Sequence, residues 1–188
     1  MSEVRVLADD DKRILDEFLE ERIDTSLFLL SNSDAAGLED HGRPLQGTYA
    51  ATFENGKMTA VAGHFWNGIL IVQGDTVGVE NAAQVAISRS GRALNGLIGP
   101  LALVERARRA LGAETRRAKK DEPEILFSLD LEKCRQPTPP TPDRHNLAAA
   151  ACGKQSATWQ GDRLRNIKKR VGVPLGEEQL VLCGFEMR

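Results

Sequence analysis

Two Asn-Gly pairs, Asn55-Gly56 and Asn67-Gly68, punctuate three apolar runs, "GTYAATF", "MTAVAGHFW" and "ILIVQG". Asn-Gly readily supplies two residues of positive φ, which a type I′ hairpin turn requires. The runs between the pairs are rich in β-branched and aromatic residues and have strand length. The stretch from Gly47 to Gly74 therefore predicts a three-stranded antiparallel meander with its strand pairing set by two tight turns.

The flanking text supplies helices. "EVRVL" is a short strand, and "ADDDKRILDEFLEER" a helix with Asp9, Asp10 and Asp11 at its positive end and Ile14, Leu15, Phe18 and Leu19 on one stripe. A second helix is expected from Asp24 or Thr25 as cap to Gly37, with Leu27, Phe28, Leu29 and Leu30 apolar nearly all round, as in a helix buried between others or against a partner. After the meander, "VENAAQVAISRSG" reads as a helix, "LNGLIG" as a strand, "PLALVERARRALGAE" as a helix and "EILFSLDL" as a strand. The order β-α-α-β-β-β-α-β-α-β joins a meander to later βαβ crossovers, which predicts an α/β (α+β) mixed sheet with helices on its faces.

Composition sets the broad class. With 41% hydrophobic and 28% charged residues among 188, the chain has the profile of a soluble globular protein without a membrane span. The acidic N-terminus lacks a secretory layout, and three cysteines without CxxC spacing suit a reduced, cytoplasmic compartment. Residues 1–131 hold 15 Lys and Arg against 21 Asp and Glu, a net of −6, whereas residues 132–188 hold 10 against 6, a net of +4. An acidic first part argues against nucleic acid as its partner. "RQPTPPTPDRH" opens the second part, which reads as a Pro-rich linker and an atypical C-terminal tail with a last strand in "EQLVLCGFEM". The expected division is a domain over 1–131 and a tail over 132–188.

The order of elements, and the texture of "SLFLLSNSDAAGLEDHGRPLQGTYAATFENGKMTAVAGHFWNGILIVQ", "GLIGPLALVERARRALG" and "LFSLDL", resemble the GNAT (GCN5-related) N-acetyltransferase superfamily. The resemblance is to the N-terminal GNAT-like half of bacterial proteins with two such units in tandem, and covers about 130 residues. It implies acetyl-CoA or another acyl-CoA as co-substrate, and a small-molecule or protein primary amine as acceptor. A homodimer or a second GNAT unit is the implied protein partner, and neither nucleic acid nor membrane is expected.

In that family an Arg or Gln followed by x-x-Gly-x-Gly or Ala brings backbone NH groups to the pyrophosphate at a helix N-terminus. "QGDTVGVENAA" stands at this place, so Gln73, Gly74, Thr76 and Gly78 are the expected cofactor-binding residues. Thr76 occupies the position of the first glycine, and Asp75 and Glu80 add negative charge that a pyrophosphate tolerates only beside a compensating Arg. The family often uses a tyrosine on the helix after the fifth strand as general acid. "PLALVERARRALG" has none, and the chain's one tyrosine is Tyr49, so no catalytic residue is assigned. These departures leave two readings open: an acyltransferase, or a catalytically silent GNAT-like module for ligand or partner binding.

His64 and Trp66 alternate onto one face of the third strand and are candidates for a substrate-side wall, against simple cross-strand packing. The polar loop "GLEDHGRPLQG" either borders a substrate or is a solvated connection. His41, His64 and His145 with the cysteines lack close ligand spacing, so no metal is expected. "RRAKKDEPE" and "RLRNIKKR" read as solvated helix ends or tails.

Overall fold

The computed structural model describes residues 2–115, together with the backbone strands 118–125 and 179–185. The described residues fall in one unit, drawn from Met1–Leu126 and Glu177–Arg188. Its elements are β1 (Ser2–Val6), α1 (Lys12–Glu20), α2 (Ile23–Ala36), β2 (Gly47–Glu54), β3 (Lys57–Phe65), β4 (Ile69–Gly74), α3 (Thr76–Ser90), β5 (Gly96–Pro100), α4 (Leu101–Ala110), β6 (Ala118–Ile125) and β7 (Gln179–Phe185). They build a seven-stranded sheet in the order β1-β2-β3-β4-β5-β7-β6. The β4–β5 ladder is parallel and the other five are antiparallel.

The meander is present, but its two turns differ. At the first, Asn55 (φ 50°) and Gly56 (φ 77°) both take positive φ, and Glu54 pairs with Lys57, as a two-residue type I′ hairpin requires. At the second, Gly68 has positive φ (76°) and Asn67 does not. Gly68 N donates to the Phe65 carbonyl at 2.9 Å, and the Asn67 side chain accepts from Ile69 N at 3.1 Å. This is a three-residue loop closed by a left-handed glycine, so the hairpin register is shifted from the one a two-residue turn would set.

Alternation along the meander sends side chains to two cores. Ala50, Ala62, Leu70, Val72 and Leu97 meet Val79, Ala82, Ala83 and Ala86 of α3 and Val104 and Ala107 of α4. Tyr49, Ala51, Phe53, Val61, Phe65 and Ile71 face Leu15, Phe18 and Leu19 of α1 and Leu29 and Leu30 of α2 on the other side. Alanines dominate the α3 contact, which brings that helix close to the sheet.

Three helix expectations change in detail. The Asp9–Asp11 cluster forms a 3-10 turn, and α1 begins after it. Its carboxylates serve tertiary partners: Asp9 accepts from Leu38 N at 2.8 Å, while Asp11 takes a two-pronged bond from Arg5 (2.6 Å each) and one from Ala8 N. Helix α2 ends at Gly37 (φ 72°) as expected, but it is buried on one side only, with Leu27 55% and Phe28 58% exposed. Helix α3 begins at Thr76, so the text assigned to a phosphate loop forms its first turn.

At the far edge, β6 covers "AKKDEPEI", text expected to be a solvated helix end or tail. Pro123, which has no backbone NH to donate, suits an edge strand. The expected strand "EILFSLDL" overlaps β6 only at Glu124 and Ile125, and its remainder lies outside the described residues. The last predicted strand is β7, inserted between β5 and β6. "RLRNIKKR", His145 and the Pro-rich linker also lie outside the described residues.

Candidate functional site

Strand β4 hands over to α3 through a single residue, Asp75. Gly74 makes the corner possible with φ 120°. Asp75 N then donates to the Thr59 carbonyl of β3 at 2.8 Å, which locks the corner to the sheet. The first amide to bond back within the helix is Val79, to the Asp75 carbonyl at 3.2 Å. Thr76, Val77 and Gly78 supply the orphan donors of the first turn. Asp75 is the N-cap yet makes no side-chain cap bond, and the surface here is open, with Asp75 and Thr76 exposed and Val77 70% exposed. A 15-residue helix thus presents its positive end to solvent, a geometry that favours an anion.

Gly78 has a different task from the one its motif position suggested. A Cβ there would lie 3.0 Å from Ala60 Cβ and 3.2 Å from Thr52 Cβ, so its bare face rests on the sheet. Thr52 Oγ1 donates to the Gly78 carbonyl at 2.8 Å. The residue lets α3 dock closely, while its amide remains part of the helix mouth. Electrostatic relief comes from α4. Arg106 Nη1 lies 3.2 Å from Glu80 Oε1 and donates to the Thr76 carbonyl at 3.2 Å. This arginine offsets Glu80 but not Asp75, and the local text could not reveal it, because it arrives from another helix.

Gln73 is turned away from the mouth and is 3% exposed. Its Nε2 donates to Thr25 Oγ1 at 2.5 Å and Ser26 Oγ at 3.2 Å, and its Oε1 accepts from Gly74 N at 2.8 Å. Every branch of the amide is used inside the protein, fastening the start of α2 to the end of β4. Gln73→Ala is expected to cost about 2 kcal/mol, because two hydroxyls and one backbone NH lose a buried partner. Urea unfolding followed by circular dichroism measures this as a lower midpoint with an unchanged slope.

The two substrate-wall candidates occupy different surroundings. His64 is fully buried, with Nδ1 at 2.5 Å from Ser90 Oγ of α3. Among the described residues its Nε2 has no hydrogen-bond partner, although backbone of Gly68 and Ala93 comes near enough to favour the charged ring. Burial outweighs that effect and lowers its pKa, so the imidazole is neutral near pH 7. Trp66 lies beyond the end of β3, 37% exposed, edge-on to Phe65 with ring centroids 6.5 Å apart. Tyr49 is also sealed, its hydroxyl 3.5 Å from the Leu29 carbonyl, and burial pushes the phenol pKa up.

The "GLEDHGRPLQG" loop is anchored by residues that pattern reading did not pair. Arg92, just after α3, holds Asp40 by a fork of 2.6 and 2.7 Å. Thr48 Oγ1 and Gly42 N complete the shell of the carboxylate, and the same guanidinium reaches the His64 carbonyl. A lone Arg and a lone Asp 52 positions apart carry no sequence signal of their meeting. His41 lies 3.3 Å from Glu39 on the surface. Among the described residues no group of three His, Cys, Asp or Glu could hold a metal ion.

No family model matches the chain, and no curated protein matches it in sequence. Three solved structures show likeness in chain path. The protein yncA of Salmonella typhimurium, described as a putative acetyltransferase and solved with its cofactor acetyl-CoA, has 12% identity and a TM-score of 0.45 over 97% of this chain and 91% of its own. A probable acetyltransferase from Staphylococcus epidermidis has 14% identity and 0.41 over 65% and 88%. An N-acetyltransferase from Staphylococcus aureus has 9% identity and 0.38 over 69% and 92%. The described elements run β-α-α-β-β-β-α-β-α-β, the order read from the sequence, followed by β7. The fold is a mixed α/β sheet with α3 and α4 packed on one face and α1 and α2 on the other. No helix among the described residues is long and apolar enough to cross a membrane.

Proposed function

We propose that the chain is a GNAT-type acyltransferase that holds acyl-CoA by its pyrophosphate at the α3 N-terminus and transfers the acyl group to a primary amine. The carrying observation is the open first turn of α3. Amides of Thr76, Val77 and Gly78 stand free of helical partners there, and Arg106 draws the Glu80 carboxylate aside. Acyl-CoA would supply the activated thioester. Within the chain, the Gly74 corner, the Thr59 carbonyl bond and the Gln73 bridge hold the amides in place before any ligand arrives, which lowers the entropic cost of binding.

Proton transfer is where the second reading draws support. Tyr49, His64 and Gln73 are all buried and engaged, so none reaches an acceptor amine at the helix mouth. An open helix mouth with Tyr49, His64 and Gln73 all engaged elsewhere suits a module that binds acyl-CoA without turning it over. Both readings require the ligand. Calorimetric titration of the full chain with acetyl-CoA is expected to give a micromolar Kd, of order 8 kcal/mol of binding. Arg106→Glu is expected to weaken it at least about tenfold by placing a second free carboxylate beside the phosphates. No heat at millimolar ligand would remove both forms of the proposal.

A further inference from the structure

The opposite end of α3 borders a second concavity. A cleft of about 730 Å³ lies between β1, the C-terminal half of α3 and the loop that follows Leu38. This volume is within the range of small-molecule sites. It is remote from the helix mouth, since Arg89 lies 13 positions along the helix from Thr76, a rise of roughly 20 Å.

The walls divide by chemistry. Val4 and Val6 of β1 point to the α3 side of the sheet, as their partners Thr52 and Ala50 do, and Val85 of α3 meets them there. Val6 is 39% exposed, an apolar surface without a cover. The third wall is held rigid, because Asp40 is fixed by Arg92, Thr48 and Gly42. Of the cations on the lining, Arg5 is bound to Asp11, while exposed Arg89 has no hydrogen bond or ion pair among the described residues. Glu39 and His41, also on the lining, lie 3.3 Å from each other. An apolar strip along β1 and α3 with one uncommitted guanidinium at its side has a complementary ligand: an aliphatic body ending in a single carboxylate.

We infer that this cleft binds a small amphipathic carboxylate, with its chain on Val4, Val6 and Val85 and its carboxylate on Arg89, at a site separate from the α3 N-terminus. As a helix-end cation Arg89 also complements the α3 dipole, so the test must separate ligand binding from that role.

Octanoate serves as the probe, titrated into the full chain labelled with nitrogen-15, with octylamine as control. The expected result is saturable shifts of the Val4, Val6, Leu38, Val85 and Arg89 amides, with a Kd below about 1 mM for octanoate and at least tenfold weaker binding of octylamine. Arg89→Gln is expected to weaken octanoate about tenfold or more while the spectrum stays that of a folded chain. Val85→Ser is expected to weaken it by a smaller factor and serves as the second variant should the first fail to fold. Overturning results are an absence of saturation by about 10 mM, equal affinity of the parent and Arg89→Gln, equal affinity for octylamine, or shifts centred on Thr76–Gly78. Lowered stability of Arg89→Gln with unchanged octanoate affinity would assign the residue to the helix dipole alone and would also overturn the inference.

Discussion

Gly74→Ala is expected to destabilise the chain by about 4 kcal/mol, near the top of what a single substitution does. The residue sits at φ 120°, outside the small left-handed basin that Asn or Asp can share with glycine. A Cβ there would fall 2.3 Å from the Thr59 carbonyl oxygen and 2.5 Å from Ala60 Cα, and both obstacles are backbone. Relief would require β3 and β4 to separate where Asp75 N bonds the Thr59 carbonyl, which also moves the α3 mouth. Urea unfolding gives the measurement, and a midpoint equal to the parent's would show that β4 ends in another way. In whatever fraction stays folded, acetyl-CoA affinity is expected to fall as well, because the three first-turn amides lose their fixed direction.

The second large effect concerns Asp40. The Arg92 fork, with help from the Thr48 hydroxyl and Gly42 amide, lowers its carboxyl pKa from 3.8 to about 2 despite an opposing effect of burial. A folded-state pKa below the unfolded one stabilises the protein above the unfolded value, and that contribution disappears as pH falls through the folded value. The window here is pH 4 to 2. Converted at 1.36 kcal/mol per unit, the contribution near neutrality is about 2 kcal/mol. The side chains of Asp40 and Arg92 are 13% and 24% exposed, so solvent screens the pair only in part. Asp40→Asn is therefore expected to cost about 2 kcal/mol at pH 7. Its stability should change less than the parent's between pH 4 and 2, and denaturation midpoints across that range provide the check. Parallel pH profiles for the two proteins would show that another carboxylate dominates there. The variant is also expected to free the loop after Leu38 from the connector after α3, since Asp40 is the group that spans them.

These residues show what the sequence could disclose. The meander was legible because Asn-Gly and the apolar runs are local signals. Its second turn departs from the expected type I′ geometry because the same dipeptide also closes a three-residue loop when only the glycine takes positive φ. Helix α2 was placed closely, but a fourfold apolar run cannot say that Leu27 and Phe28 would face outward while Leu29 and Leu30 faced the core. At the candidate site, Gly74 and the start of α3 were visible as a β-to-α corner. The destinations of Gln73 and Gly78 were not, since each depends on a partner far along the chain: Thr25 and Ser26 for the first, Thr52 and Ala60 for the second. Arg106 and Arg92 were hidden for the same reason. His64 looked available because strand alternation gives a face without saying whether a helix covers it, and α3 does.

The exposed apolar pair Leu27 and Phe28 lies on α2, whereas the open first turn belongs to α3. A silent module needs only binding, whereas an acyltransferase must also release a thiol when an amine is present. Calorimetry separates ligand binding from its absence, but not these two outcomes from each other. The chemistry also sets a stoichiometric signature: one CoA thiol appears for each amide formed, and the rate depends on the concentration of neutral amine.

The decisive measurement is CoA thiol release by the full chain from acetyl-CoA, followed with a thiol reagent, with and without a panel of small primary amines and lysine peptides. Amine-dependent release above the uncatalysed rate is expected, reduced by Arg106→Glu through a higher KM for acetyl-CoA. Tight binding of acetyl-CoA with release no faster in any amine than in buffer would contradict the enzyme and leave the binding module.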